Sequence, residues 1–394
     1  MGQEGEAVQR LVPEFERLHP GLRVRVQQIP WSAAHEKVLT AYVGEATPCV
    51  FQLGNTWIPE LAALDAIEPL EERIDASAVV RRDDYFAGIF DTNTVGAHTY
   101  GVPWYVDTRV LFYRSDLLAQ AGVDAAPPNW ASWFDAMARL KRRDKQRFAI
   151  LLPLTEWQTP VILALQLGAD LLRDGGRYGD FESSDFRRAF GFYLGLFRQD
   201  LAPRQGDAAV GNLYQDFAAG FFAFYVTGPW NLGEFERRLP AALAGRWATA
   251  PMPAPEGGGP GLSVAGGASL AVFRSCAAKD AAWQWIEFLS APQRQVDFHR
   301  LTGDLPSRRS AWEQAHLTDD PHAAAFWVQL QHLRSTPKVP EWERIAEKIG
   351  QYAESAIRGE MSADAALGAL DRDVDGILEK RRWMLERAGE EARP

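Results

Sequence analysis

The sequence lacks the residue constellations that most often signal catalysis. It has no GxGxxG loop opening a helix after a strand, no GxxxxGK[ST] phosphate loop, no HExxH and no GxSxG elbow. Its seven histidines show no pairing at metal-ligand spacing. Two carboxylates that meet in space, such as Glu4 and Asp107, would still suffice for glycoside hydrolysis. The pattern favours binding without cofactor or metal and leaves a two-carboxylate enzyme as the alternative.

One tryptophan in a turn is the leading candidate for a binding residue. The apolar run "FAAGFFAFYV" predicts a strand that ends in "TGPWNLGEF", where a Gly-Pro turn presents Trp230. An indole has only two χ angles, so it can stack on the flat apolar face of a ligand at a small entropic cost. The alternative is that Trp230 fills the core of its own domain.

Polar residues that could accept hydrogen bonds from a ligand lie beside predicted strands. Asp107 follows Tyr105 in "YVD", and a carboxylate can accept two hydroxyls through charge-assisted hydrogen bonds. Asn55 and Trp57 follow the strand "CVFQLG", at the carboxyl end where open α/β sheets bind ligands. Each has a structural alternative. Asp107 could cap a hinge, Trp57 could belong to the core, and Glu4 could be a first-turn acid that favours the helix dipole.

Composition narrows the class of partner. A chain of 394 residues is too long for one ordinary core, so two domains are expected. The formal net charge of −10 argues against nucleic acid and anionic membranes as partners and fits a monomer. No apolar run approaches the roughly 20 residues that span a bilayer. Cys49 and Cys276 are either two buried thiols or, in an oxidising compartment, a bridge.

Helical and strand patterns alternate as in an α/β protein. The first helix runs from about Gly5 to His19, and "LRVRVQQIP" predicts the strand after it. The tract "PMPAPEGGGPGLSVAGG" predicts a surface loop or a crossover between lobes, and the last eighty residues have a helical pattern.

Several segments together resemble the extracellular solute-binding proteins of sugar ABC importers, within the trehalose/maltose-binding branch. The segments "YGVPWYVDTRVLFYRSDLL" and "TGPW" are the most specific, and "EGEAVQRLVPEFERLHPG", "TPCVFQLGNTWIPEL" and "TGDLPSRRS" follow the same order. The likeness covers nearly the whole chain. In such proteins a strand and a signal peptide precede the first helix, so both are expected to be missing from the numbered sequence.

The resemblance implies a two-lobed α/β periplasmic-binding-protein fold with a ligand cleft between lobes joined by hinge crossovers. It assigns residues 1–108 plus 264–310 to the N-terminal lobe and 109–263 plus 311–394 to the C-terminal lobe. It also implies that Glu4, Asn55, Trp57 and Asp107 lie on or beside one lobe and Trp157 and Trp230 on the other.

The resemblance also implies roles for individual residues. Trp230 matches a stacking residue, Tyr105 and Asp107 match a contacting pair, and Glu4 matches an acidic contact. The pair Gly266 and Gly267 matches glycines that let the backbone approach the sugar, but Ala268 stands where relatives often have tryptophan. One stacking wall would then be missing, or would be supplied by Trp31, Trp157 or Trp342. A sugar-binding arginine of some relatives falls nearest to Thr336, with Arg334 two residues earlier.

The expected function is therefore capture of an α-glucoside disaccharide, trehalose or maltose, by lobe closure, and delivery to the permease of an ABC importer. The protein would be periplasmic or extracellular and not an enzyme. The alternatives are a glycosidase that uses cleft carboxylates, or the same fold binding another oligosaccharide or a small polar metabolite.

Overall fold

Helices and short strands alternate along the chain in the computed structural model, which describes residues 1–154 and 156–391. The helices are α1 (Glu4–Gln9), α2 (Val12–Leu18), α3 (Trp31–Val43), α4 (Ile58–Ala63), α5 (Glu71–Ala76), α6 (Ala87–Asp91), α7 (Ser115–Gln120), α8 (Trp130–Arg143), α9 (Gln158–Gln166), α10 (Ser184–Arg198), α11 (Leu213–Ala218), α12 (Trp230–Arg238), α13 (Lys279–Ser290), α14 (Pro292–Thr302), α15 (Arg309–Gln314), α16 (Ala324–Gln329), α17 (Trp342–Arg358), α18 (Ala363–Ile377) and α19 (Glu379–Glu391).

The strands are short, and most come from apolar segments. They are β1 (Val50–Gly54), β2 (Thr94–Val95), β3 (His98–Thr99), β4 (Val102–Asp107), β5 (Val110–Tyr113), β6 (Ile150–Leu151), β7 (Leu172–Arg173), β8 (Tyr178–Gly179), β9 (Phe224–Thr227), β10 (Ala248–Ala250), β11 (Ser263–Val264), β12 (Gly266–Val272), β13 (Leu305–Pro306) and β14 (Leu333–Arg334).

The chain divides into two compact units. The first unit comprises Met1–Thr108, Gly228–Gly233 and Ala265–Pro340, and the second comprises Arg109–Thr227, Glu234–Val264 and Glu341–Pro394. The lobe boundaries drawn from the resemblance stay a prediction. The units differ from those boundaries in segments 228–233 and 311–340, which group with the first unit, and at Val264, which groups with the second.

The first unit is built on an antiparallel sheet of order β1-β12-β4-β13. Side chains alternate across this sheet, so Leu270 and Val272 pack into one apolar cluster while Ala271 and Phe273 pack into another. Helices α1, α2 and α13 cover the first cluster, and α3 and α4 cover the second. The sheet is therefore buried on both faces.

The segment 22–29 differs from the sequence-based prediction, because the structure assigns no strand there. Its backbone groups bond individually. The Val24 amide donates to the Glu16 side chain, and the Ile29 carbonyl accepts from the Gly2 amide. Alternating Val24 and Val26 pack against the apolar cluster at the edge of the unit without entering a ladder.

A disulfide joins Cys49 and Cys276, which resolves the two alternatives left open by the sequence. Cys49 directly precedes β1, and its carbonyl accepts from the Phe273 amide just beyond β12. The bridge therefore fastens the end of the β1–β12 pair that lies opposite the candidate site described below.

The second unit has a mixed sheet of order β10-β5-β9-β6, in which β6 and β9 are parallel and the other pairs antiparallel. Helix α9 is buried along Thr159–Leu165 and packs on α10, and α17 packs on α18. Among the described residues, none of the helices combines the length and the apolarity needed to cross a membrane.

Candidate functional site

Three strand ends meet at one edge of the sheet in the first unit. The register pairs Gly54 with Ala268 and Asp107 with Gly266, so β12 begins where β1 and β4 end. Asn55 follows β1 directly and opens a short 3-10 turn, Asn55–Trp57. The sheet thereby brings Asn55, Asp107 and the glycine pair to the same end of the sheet, and their contact with a ligand stays a prediction.

Glu4 and Tyr105 form a buried polar network beside this edge. The Tyr105 hydroxyl donates to Glu4 Oε1 at 3.2 Å and accepts from Gln52 Nε2 at 2.8 Å. The indole N–H of Trp31 also donates to Glu4 Oε1, at 3.1 Å. Gln52 Oε1 accepts in turn from the amino group of Met1. One carboxylate oxygen of Glu4 is therefore held by two neutral donors.

The electrostatics around this network favour a neutral Tyr105 phenol and a partly protonated Asp304 carboxyl group. Burial, followed by the charges of Asp304 and Glu4, raises the pKa of Tyr105 well above its ordinary value. Burial, followed by the charges of Glu4 and Asp107, raises the pKa of Asp304 to about 7. Tyr105 can therefore donate to a carboxylate throughout the physiological range.

Sequence reasoning missed Gln52, which donates to the Tyr105 hydroxyl, and Asp304, whose charge acts on Tyr105. Asp304 belongs to "TGDLPSRRS", which carried the resemblance without a role for any single residue. Gln52 is a polar residue in the middle of an apolar strand, and a buried polar side chain in a strand is itself a signal, because it needs a partner.

The glycine pair is required by the sheet. A Cβ at Gly267, where φ is +138°, would lie 2.4 Å from the Tyr105 carbonyl oxygen, and one at Gly266 would lie 2.8 Å from the Asp107 carbonyl oxygen. Both contacts are with backbone, which cannot move aside cheaply. The glycines therefore let β12 approach β4 and set the positions of Tyr105 and Asp107. Their predicted approach to a ligand stays a prediction.

Trp230 begins α12 and is 38% exposed. A Cβ at Gly228 would lie only 1.9 to 2.6 Å from its six-membered ring, so the indole folds back over the Gly228 backbone. The turn sequence explains this arrangement, because only glycine leaves room for the ring. Trp230 falls in the first unit with Asp107, whereas the resemblance assigned it to the other lobe. A half-exposed, braced indole is suited to stacking.

Asn55 lines a small pocket in the first unit together with Thr92, Ala265 and Thr336. Its Nδ2 donates to Thr92 Oγ1 at 3.0 Å, which fixes the orientation of the amide. The Arg334 carbonyl accepts from the Ala265 amide at 3.0 Å, so the segment that the resemblance selected for a sugar-binding arginine lies next to the glycine pair.

Trp57 is only 8% exposed and belongs to an apolar cluster with Ile58 and Leu61. Its ring packs edge-on against Trp31, with centroids 5.8 Å apart, and on His35 at 5.0 Å. This packing corresponds to the core alternative, while contact with a ligand stays a prediction. Trp31, at 36% exposure, is the more accessible of the two indoles.

Trp157 lies in the second unit, directly before α9. It is half-buried and packs edge-to-face on the buried Trp342, with ring centroids 5.3 Å apart. The other nine residues named for the site all fall in the first unit. Among the described residues, no group of three or more His, Cys, Asp or Glu could hold a metal ion.

These features describe a two-unit α/β chain in which the first unit's sheet brings polar and aromatic side chains together at the ends of its strands. The chain belongs to the family of bacterial extracellular solute-binding proteins, whose family model matches residues 2–296. The fold is similar to that of the sugar-binding protein MalE from the phytopathogen Xanthomonas citri, with a TM-score of 0.94 and 48% identity over 98% of each chain. This match confirms the predicted two-lobed periplasmic-binding-protein fold and the resemblance on which it was based.

More distant relatives extend the comparison. The GacH receptor of Streptomyces glaucescens, solved unliganded and with acarbose, has a TM-score of 0.83 at 24% identity over 96% of each chain, a likeness that concerns the fold alone. The diacetylchitobiose binding protein DasA of Streptomyces coelicolor is 23% identical over 91% of this chain and 83% of its own length.

Proposed function

We propose that this protein is the solute-binding component of a bacterial ABC importer and that it binds an α-linked glucose disaccharide, trehalose or maltose. The ligand would be captured by closure of the lobes and handed to a membrane permease. The protein would act as a monomer, without a cofactor and without chemistry. Its hydroxyl-binding groups would be Asp107, Glu4 and Asn55, and its stacking platform would be Trp230.

The observation that carries this proposal is the shared edge of the first unit's sheet. Asp107 ends β4 there, beside a glycine that contributes no side chain and next to the buried Glu4–Tyr105 network. A carboxylate accepts two hydroxyl donors, and an aromatic face covers the apolar side of a sugar ring. The 48% identity to a sugar-binding protein supports the same ligand class.

The disulfide supports the proposed location. Structural disulfides form and persist in oxidising compartments and are rare in the cytosol of most bacteria. The bridge between Cys49 and Cys276 therefore agrees with a family described as extracellular, and with a periplasmic or extracellular site of action.

Calorimetric titration tests the ligand. We expect saturable heat with trehalose or maltose and none with cellobiose, the β-linked isomer of maltose, which serves as the matched control. Diacetylchitobiose, mannitol and sn-glycerol 3-phosphate complete the panel. Binding to a charged or β-linked solute alone, with no heat from any α-glucoside, would overturn the substrate class.

A second measurement separates binding from catalysis. Proton NMR of the protein with trehalose or maltose should show an unchanged disaccharide after prolonged incubation. Appearance of free glucose, at a rate that falls in Asp107→Asn, would replace the binding function with the two-carboxylate enzyme.

A further inference from the structure

Asp304 lies at the same end of the sheet, on the side of β4 that faces away from β12. It lies between Gly303, where α14 ends in a left-handed conformation, and the start of β13. The register pairs Leu305 with Val106 and Pro306 with Tyr105. Asp304 directly precedes this pairing, and continuing the register by one residue would set it opposite Asp107, on the face of the sheet that Tyr105 also occupies. The charges of Glu4 and Asp107 both act on Asp304, which agrees with this placement.

Two carboxyl groups in this cluster are each left with one buried oxygen that has no hydrogen-bond partner among the described residues. These atoms are Glu4 Oε2 and Asp304 Oδ2, and the two residues are only 7% and 6% exposed. A buried ionised carboxylate with an unpartnered oxygen is costly, and a second carboxylate nearby raises the cost. A proton on one of the two groups removes a charge and supplies a donor.

The surroundings decide which group holds the proton. Glu4 Oε1 already accepts hydrogen bonds from Trp31 and Tyr105. Asp304 faces the charges of Glu4 and Asp107, and its pKa is raised to about 7 by burial and then by those charges. The Thr302 hydroxyl and the Met1 amino group act in the opposite direction. The Nδ1 atom of His299 on α14 lies 3.0 Å from the Asp304 carbonyl oxygen, within hydrogen-bond distance.

We propose that Asp304 is a positioning residue of the binding site, whose carboxyl proton keeps Glu4 in place and whose loss weakens ligand binding. The inference rests on the proposed function, because it takes the ligand to be a neutral sugar. When Asp304 ionises, it repels Glu4 and Asp107, and the Glu4–Tyr105 hydrogen bond loses its geometry. A neutral sugar gains nothing from the added charge, so its affinity falls as pH rises.

The first arm of the test uses the ligand-free, full-length protein with aspartate labelled with ¹³C at the side-chain carboxyl. Carboxyl resonances are followed by NMR from pH 4 to pH 9 in the wild type and in Asp304→Asn. We expect one resonance to titrate near neutral pH and to be missing from the variant. If every aspartate completes its titration in the ordinary acidic range, Asp304 holds no such proton and the inference is overturned.

The second arm measures trehalose and maltose affinity by calorimetry from pH 5.5 to pH 8.5. Wild-type affinity should fall roughly three- to tenfold across this range. This change corresponds to a ligand that raises the pKa of Asp304 by up to about one unit. Asp304→Asn, which is isosteric and cannot ionise, should show a flat profile. Asp319→Asn, at an exposed aspartate of the same unit, is the matched control and should follow the wild type.

The outcomes separate the two proposals. Identical pH profiles in the wild type and Asp304→Asn would overturn the positioning role while leaving the sugar-binding function intact. Absence of heat with every sugar at every pH would overturn the sugar-binding function and its link to the proton, and the carboxyl titration would still decide whether Asp304 is protonated. If Asp304→Asn does not fold, wild-type calorimetry in buffers of different ionisation enthalpy measures the same linkage, as proton uptake on binding near pH 7.5.

Discussion

At the scale of single residues, Trp230 offers the most direct test of the site. Trp230→Ala removes a stacking face and should weaken disaccharide binding by about 1–2 kcal/mol, roughly ten- to thirtyfold. The thermal midpoint should change little, because the side chain is 38% exposed. Calorimetry gives the affinity, and circular dichroism gives the midpoint.

The control for this variant is Trp383→Ala. Trp383 is 52% exposed on α19 of the second unit, so the substitution removes an indole of similar exposure outside the proposed site. Its affinity should equal that of the wild type. A Trp230→Ala protein that unfolds, in place of one that binds weakly, would assign Trp230 to the core.

Asp304 also predicts how stability depends on pH. Its folded pKa of about 7 exceeds the unfolded value, so the folded state holds the extra proton between roughly pH 4 and pH 7. The stabilisation is complete below the unfolded pKa and is lost as pH rises through the folded one. Asp304→Asn lacks this dependence. Between pH 5 and pH 8 its free energy of unfolding should therefore rise relative to that of the wild type, by a few kcal/mol at most.

Urea unfolding of both proteins at pH 5 and pH 8 measures this difference. Asp319→Asn again serves as control, because an exposed aspartate should leave the pH dependence unchanged. A constant difference between the wild type and Asp304→Asn at the two pH values would contradict a raised pKa.

At the scale of elements, the approach of β12 to β4 depends on Gly267. Gly267→Ala combines a φ of +138° with a Cβ only 2.4 Å from the Tyr105 carbonyl oxygen, so we expect a loss of about 3 kcal/mol. Gly303→Ala has a φ of +82° with no atom near the added Cβ, and it should lose only about 1 kcal/mol. Urea unfolding compares the two variants. Equal losses would mean that backbone conformation, and not the contact with β4, sets the requirement.

Local sequence patterns predicted the strands better than they predicted what each strand or side chain contacts. "YVD" and "CVFQLG" gave β4 and β1 because apolar strands are visible in a short window, and "TGPW" gave Trp230 through its turn. The segment 22–29 has the same alternation, yet it makes no ladder, because pairing depends on what lies beside a strand in space. Gln52 and Asp304 were missed for the same reason. Both residues interact with Tyr105, which is 53 residues from Gln52 and far along the chain from Asp304.

At the scale of the molecule, the disulfide closes a long loop. Cys49 and Cys276 are 227 residues apart, and most of the second unit lies between them in sequence. Restricting the unfolded chain in this way should contribute about 2–5 kcal/mol. Urea unfolding with and without a phosphine reductant measures this loss of stability. The double variant Cys49→Ser/Cys276→Ser should have the stability of the reduced wild type, and the reductant should not change it. Two free thiols in the denatured, unreduced wild type would contradict the bridge.

The two-lobed fold was predictable only through resemblance. Composition and periodicity indicated two α/β domains, but neither reveals that Ala265–Pro340 returns to the unit begun by Met1–Thr108. The pairing of β12 between β1 and β4 is what joins those segments, and its contacts span well over a hundred residues. The return of this segment to the first unit also brings Cys276 next to Cys49. The sequence alone could not reveal that contact, so it did not decide between a disulfide and two thiols.

From the resemblance we expect that ligand draws the two lobes together, with bending at the crossovers near residues 107–109 and 262–265 and further bending near 310. A ligand favours the closed state by the contacts that the open state lacks, so closure should follow saturation of the site and not sugar concentration as such. Small-angle scattering should show a smaller radius of gyration with saturating trehalose or maltose and no change with cellobiose at the same concentration. Trp230→Ala should reach the same closed radius at a ten- to thirtyfold higher ligand concentration, roughly its loss of affinity. An unchanged radius in a wild-type sample that calorimetry shows to be saturated, and that is open when empty, would exclude closure as the way this protein captures its ligand.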